Sequence, residues 1–210
     1  GLRRPGEVDD RGGVVAAGTG DDRDAAAADL IHQIGRVLLA EDGGIKLSFA
    51  PVELVQYVSD ICDLFRPQTE LNRQKLVFRY ACSRDLEVWL DQNYFNKVIS
   101  NLLSNALRYT PAGGSISVTV SAASGSAAIE VRNSGKPLDE KKLKDIFDLF
   151  YQGNDAVSGT GVGLYFAKVV TKLHGGAIQA CNSPEDGGPV FTVPLPLGNA
   201  HLSDDQISGE

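Results

Sequence analysis

One stretch, NLLSNALRYT at Asn101–Thr110, constrains this chain more than any other, because it asks a single helix to carry two opposed faces. At about 100° per residue, Asn101, Asn105 and Arg108 stand at i, i+4 and i+7 on one side, while Phe95, Val98, Ile99, Leu102 and Ala106 form the apolar stripe on the other. The stripe demands a packed partner; the polar ledge demands water or a ligand. Two carboxamides and a guanidinium suit a metal-bound polyphosphate, since a carboxamide oxygen ligates Mg²⁺ without adding negative charge and Arg pairs with phosphate oxygens. A solvated helix face has the same make-up, so the stretch alone does not specify a function.

Three further motifs follow it. GTGVGL at Gly159–Leu164 has the glycines that let backbone N–H groups approach an anion at a helix start. No GK[ST] ends it, which excludes a Walker A loop, and no βαβ unit surrounds it, which argues against a dinucleotide fingerprint. NSGKPL at Asn133–Leu138 follows a strand and reads either as a surface turn or as a turn presenting a side chain to a purine, with Gly135 allowing close approach. In IFDLF, Phe147 and Phe150 are three apart, the spacing of ordinary helix packing.

Taken in order, residues 1–24 are rich in Gly, Asp, Arg and Ala without apolar period, and are expected as a flexible lead-in. Residues 25–44 have Leu30, Ile31, Ile34, Val37 and Leu38 at helical spacing and end in Gly43-Gly44. Ile45–Phe49 reads as a brief strand, with Pro51 in the first turn of a helix that runs to about Glu70. Strands are expected at Lys75–Tyr80 and Leu86–Leu90, and Asp91 as N-cap of the asparagine helix. Ser115–Ser121 and Ala127–Arg132 alternate as paired strands around Gly125. A short charged helix from Asp139 through Ile146, a polar loop, a helix stopped by Gly175-Gly176, and strands at Ala177–Cys181 and Pro189–Leu197 complete the order. This succession implies an α+β, two-layer sandwich with a mixed sheet covered on one face by helices. The remainder, 198–210, reads as a flexible acidic tail.

Composition narrows the function classes. A net charge of −7 argues against a general nucleic-acid surface. No apolar run approaches the ~18 residues of a membrane span, so the piece in hand is expected to be soluble and cytoplasmic, or the cytoplasmic part of a membrane-bound sensor. Without a single Met, it reads as a fragment or a processed product. Cys62, Cys82 and Cys181 lack CxxC spacing, which excludes an obvious zinc site, and are expected to be reduced and mostly buried.

The order and spacing of the motifs resemble the ATP-binding catalytic domain of bacterial two-component sensor histidine kinases, of the GHKL group with the Bergerat fold. YTPAGG, KLHGGAI and PVFTVPLP recur as landmarks, and the resemblance covers roughly residues 45–197. It implies ATP and Mg²⁺ as ligands: Asn105 on the metal, Asn101 near the γ-phosphate, Arg108 on phosphate oxygens and Tyr109 against the nucleoside. It further implies Asn133 and Gly135 at the adenine, with Phe147 and Phe150 at the front of a mobile lid. Gly159, Thr160, Gly161, Val162, Gly163 and Leu164 would flank the phosphates, and Thr192 would make a water-mediated adenine contact. Asn133 stands where the family usually has aspartate, and Pro137 where it has a second glycine. Loss of the charge-assisted bond at Asn133 would weaken adenine binding by on the order of 1 kcal/mol.

In the hydrolytic relatives a glutamate stands at the position of Asn101; a carboxamide has no basic pKa in range, which favours phosphoryl transfer over hydrolysis. The acceptor would be a histidine on a dimerisation domain, with a response regulator receiver domain downstream. The chain's own His32, His174 and His201 lack the acidic residue and flanking run of an acceptor, and His174 sits at a helix end where a cation suits the dipole. Residues 25–42 then read as the remnant of a dimerisation helix, in a fragment that binds Mg-ATP without labelling itself. Two alternatives remain: a serine kinase or ATPase of the same fold, and a degenerate module that works by protein contact alone.

Overall fold

The computed structural model describes residues 46–152 and 160–207, together with Gly35, which is helical. The lead-in, the rest of the 25–44 segment, Ile45, Gly159 and His32 lie outside the described residues. The chain runs β1 (Ala50–Glu53), α1 (Leu54–Leu71), β2 (Lys75–Ala81), β3 (Glu87–Leu90) and α2 (Gln92–Tyr109). It continues through β4 (Ser115–Ala123), β5 (Ser126–Asn133), 3-10 turns at Glu140–Lys142 and Asp145–Phe147, and α3 (Gly163–Leu173). It closes with β6 (Gln179–Asn182), β7 (Pro189–Pro196) and α4 (Asp204–Ile207).

Five strands form a mixed sheet in the order β2-β4-β5-β7-β6, with β2 parallel to β4 and the other pairs antiparallel. The period-two pattern is realised on β4: Ile116, Val118 and Val120 are buried, and Ser117, Thr119 and Ser121 are only half-buried. The buried side meets α1 and α2, and α3 packs on α2. One core joins Leu54, Val58 and Ile61 of α1 to Phe95, Ile99 and Leu102 of α2, Ile129 of β5 and Phe166 of α3. The sheet is therefore covered by helices on one face, as the alternation requires. Ser124 and Gly125, at φ 52° and 80°, make the two-residue turn between β4 and β5.

Several expectations are corrected. The first strand is Ala50–Glu53, and Pro51 lies in it, opposite Trp89 of β3, rather than in a helix turn. Among the described residues its sheet has two strands, which makes β1 an edge strand where the missing N–H is tolerated. The charged segment after Asp139 is two 3-10 turns instead of one short helix. The next-to-last strand starts at Gln179. Of the cysteines, Cys62 alone is buried, Cys82 is intermediate and Cys181 exposed. The acidic tail contacts the domain: the Phe49 amide donates to Gln206 O at 3.2 Å.

Candidate functional site

Asp91 sets the start of α2. Its carboxylate accepts from the amides of Asn93 and Tyr94, and its other oxygen accepts from Ser48 N at 2.9 Å. At the far end, Gln74 Nε2 donates to Leu107 O and Thr110 O at 2.9 and 2.5 Å, covering carbonyls that the last turn leaves unpaired. With the apolar stripe locked into the core, Asn101 and Asn105 are left half-buried and Arg108 and Tyr109 exposed, along one ledge.

The other motifs meet α2 at both ends of that ledge. Asn101 Nδ2 donates to Gly163 O at 3.2 Å. A Cβ on Gly163 would lie 3.3 Å from the Asn101 Cγ, close enough that Asn101 would have to shift slightly. Near Tyr109, Gly135 comes so close to the Tyr109 carbonyl that a methyl group there would collide with it. The asparagine helix thus touches both the glycine run and the turn after β5.

The glycine run leads into a helix start that no side chain caps. Val162, fully buried, precedes α3 without any side-chain cap, and Thr160 Oγ1 accepts from Val162 N at 3.4 Å. First-turn N–H groups of α3 have no intrahelical partners, and the helix dipole favours an anion there. Leu164 is half-buried against the core. Gly161, at φ 68°, accepts from Phe150 N at 3.0 Å, and its Cα hydrogen faces the Phe150 backbone, where a Cβ would fall 2.6 Å from the carbonyl carbon.

The two phenylalanines separate in role. Phe147 is buried and meets Phe191 edge-on, ring centres 6.3 Å apart. Phe150 is 57% exposed at φ 64°, a backbone state that bulky residues rarely adopt. It is joined to the glycine run through its backbone, not through side-chain packing.

Asn133 ends β5 on the helix-covered side of the sheet and is 3% exposed. Its Nδ2 is buried with no hydrogen-bond partner. Its own turn is held by a residue that the sequence did not single out: Asn182 donates to Leu138 O and accepts from Leu138 N, both at 2.8 Å. Arg132 adds ion pairs to Glu185 and Asp186 at 2.7 and 2.9 Å, and those partners hold its guanidinium pKa up. Thr192 does not join this group. It pairs with Glu130 and Gln179, and the strand alternation puts it on the face opposite Phe191, away from Asn133.

His174 is also corrected. It is fully buried between Phe49 and Phe95, and burial pushes its pKa down to about 4, so it is a neutral ring and not a cation. Nε2 accepts from Asp91 N at 3.0 Å, which leaves the proton on Nδ1 to donate to Val170 O at 2.8 Å. The end of α3 is thereby tied to the cap of α2. No cluster of three or more His, Cys, Asp or Glu among the described residues could hold a metal ion. A cavity of about 290 Å³ lined by Lys75, Arg79, Arg132 and Glu185 lies on the uncovered face of the sheet, not beside these glycines.

Residues 90–199 match the family described as histidine kinase-, DNA gyrase B- and HSP90-like ATPases. Histidine kinase P4 of Formosa agariphila is 29% identical over 85% of this chain, and the sensor histidine kinase WalK of Bacillus subtilis 34% identical over 69%. The chain spans only 13% of the length of the first and 24% of the second. Among solved structures, the catalytic domain of the histidine kinase ThkA is 27% identical with a TM-score of 0.66, covering 72% of this chain and 97% of that domain. ThkA has also been solved in complex with the response regulator protein TrrA, at 23% identity, a TM-score of 0.67 and 83% and 49% coverage of the two chains.

Proposed function

The chain belongs to the histidine kinase-, DNA gyrase B- and HSP90-like ATPase family, and on that premise we propose that it is the catalytic domain of a bacterial sensor histidine kinase that passes the ATP γ-phosphoryl to a histidine on a dimerisation domain. The observation that carries this reading is the meeting of Asn101 with Gly163 and of Tyr109 with Gly135 on a single helix. One ledge then faces the uncapped start of α3 at one point and the buried Asn133 turn at the other, the two ends a nucleoside triphosphate requires.

The residues fit Mg²⁺ brought in by the nucleotide rather than held by a protein cage, because Asn105 offers one neutral oxygen and phosphates supply the charge. Bound there, the ion neutralises phosphate charge. Asn101 holds the start of α3 in place, and Arg108 reaches phosphate oxygens from its exposed position. The first-turn N–H groups of α3, which have no intrahelical partner, receive the transferred group's negative charge, the electrostatic work that a loose transition state requires. A carboxamide at Asn101 cannot take a proton from water, so the γ-phosphoryl goes to an imidazole presented from outside. Phe147 anchors the front of the lid, and Tyr109 covers the nucleoside.

The partners are a histidine-bearing dimerisation domain of the same protein and a receiver domain, a reading supported by the ThkA complex with its response regulator. No helix among the described residues is long and apolar enough to cross a membrane, which is compatible with work on the cytoplasmic side of a sensor. Residues 25–44 would be the end of the dimerisation helix and 45–197 the catalytic domain. Asn133 in place of aspartate favours a second reading, a protein-contact module without nucleotide.

Titrating the chain with a magnesium complex of a non-hydrolysable ATP analogue separates the two, since only the first yields binding heat. Supplied with ATP and a separate dimerisation domain, the kinase transfers acid-labile, base-stable phosphate to that domain and none to itself. Phosphate on His32 of this chain would overturn the assignment of the acceptor.

A further inference from the structure

Asn133 carries an unmet hydrogen bond on the inside of the site. It is 3% exposed, and its Nδ2 has no partner. Gly135 packs directly against that nitrogen, where no larger residue fits: a Cβ there would lie 2.6 Å from Nδ2. The backbone around it is fixed, with Ser134 N donating to Ser115 O at 2.9 Å and Gly188 packed against the Asn133 carbonyl. A buried donor without an acceptor is unfavourable unless a ligand supplies one.

A carboxylate at this place offers acceptors only, and so selects the exocyclic amine of adenine and repels a keto oxygen set in the same position. A carboxamide offers one acceptor and two donors. Adenine presents an N6 amine and an N1 acceptor; a 6-oxopurine presents an O6 acceptor and an N1–H donor. Half a turn about the last side-chain torsion, which is broad and nearly two-fold, exchanges Oδ1 and Nδ2 and complements either edge.

We propose that Asn133 broadens the base specificity of the nucleotide site, so that it takes 6-oxopurine triphosphates alongside ATP. This rests on the nucleotide-site reading above and adds the substrate class to it. Inosine triphosphate is the probe, because it changes the 6-position without adding the 2-amino group of guanine.

Calorimetric titration of the chain with Mg-ATP and Mg-ITP is expected to give affinities within about tenfold of each other, the range left when one neutral hydrogen bond replaces another. Asn133→Asp is expected to open that ratio by a further factor of at least about ten in favour of ATP, the size of a base-edge mismatch. Mg-ITP binding more than about a hundredfold weaker than Mg-ATP in the unmutated chain overturns the proposal. So does a ratio that Asn133→Asp leaves unmoved. Failure of both nucleotides to bind removes the nucleotide site itself, a distinct result. Should the buried carboxylate of Asn133→Asp prevent folding, the ratio in the unmutated chain decides alone.

Discussion

The side chain of Asn101 donates to the carbonyl oxygen of Gly163 at 3.2 Å, fastening the middle of α2 to the first residue of α3. Gly163 has no positive φ, so alanine is compatible with its backbone, and a Cβ there would press on Asn101 at 3.3 Å. Gly163→Ala should therefore divide stability from binding. Helix propensity offsets the crowding and leaves the urea midpoint within about 1 kcal/mol of the original, while displacement of Asn101 lowers Mg-ATP affinity about tenfold. A parallel loss of both, or of neither, would show that this contact does not position the site.

Asn105 stands one turn beyond Asn101 on the same ledge, half-buried. If its oxygen is the protein's ligand to the ion, Asn105→Ala should weaken nucleotide binding in excess Mg²⁺ by about tenfold or more and leave binding in EDTA nearly unchanged. The measurement is a pair of titrations with and without metal. Equal losses in both would assign Asn105 to the nucleotide and not to the ion.

Thiol reactivity tests the corrected burial. Cys62 is fully buried in α1, and burial, with Asp63 beside it, pushes its thiol up to about 12 against the counter-effect of Arg66. Cys82 donates to Val120 O at 3.8 Å and is partly covered, and Cys181 is exposed on β6. A disulfide-exchange reagent at mildly alkaline pH should modify one thiol quickly, a second slowly and the third only on unfolding. Cys181→Ser should remove the fast phase; its survival would place the reactive thiol elsewhere.

What the sequence made legible was whatever one element determines alone. The period of α2 and its cap at Asp91 are local signals, and each is where its pattern put it. Misreadings arose where a distant segment decides. Pro51 satisfies the local rule for a helix start, but pairing with Trp89 recruits it into a strand. Thr192 belongs to a readable strand, but its face depends on register with Glu130 and Gln179. The dipole argument at His174 was outweighed by Phe49 and Phe95, which bury the ring and exclude its charge. Asn182 gave no signal at all, since its clamp on Leu138 spans 44 residues.

Because His174 is held neutral, stability should depend on it in a definite direction. Burial lowers its pKa from 6.5 to about 4, with Asp91 and the Val170 carbonyl opposing and His201 adding a little to the shift. Between those two values the unfolded chain binds a proton that the folded chain refuses, so unfolding is favoured as pH falls. The contribution is intact above about pH 6.5 and fades toward about pH 4, a loss of about 2–3 kcal/mol across the window at 1.36 kcal/mol per unit. His174→Gln removes the titrating ring, so the variant should be less stable near neutral pH and yet flatter through the same window. Urea midpoints measured for both proteins at several pH values give the comparison. Identical slopes would mean that the ring is not shielded from water by Phe49 and Phe95, and that the tie between α3 and the α2 cap is looser than the 3.0 Å bond to Asp91 N implies.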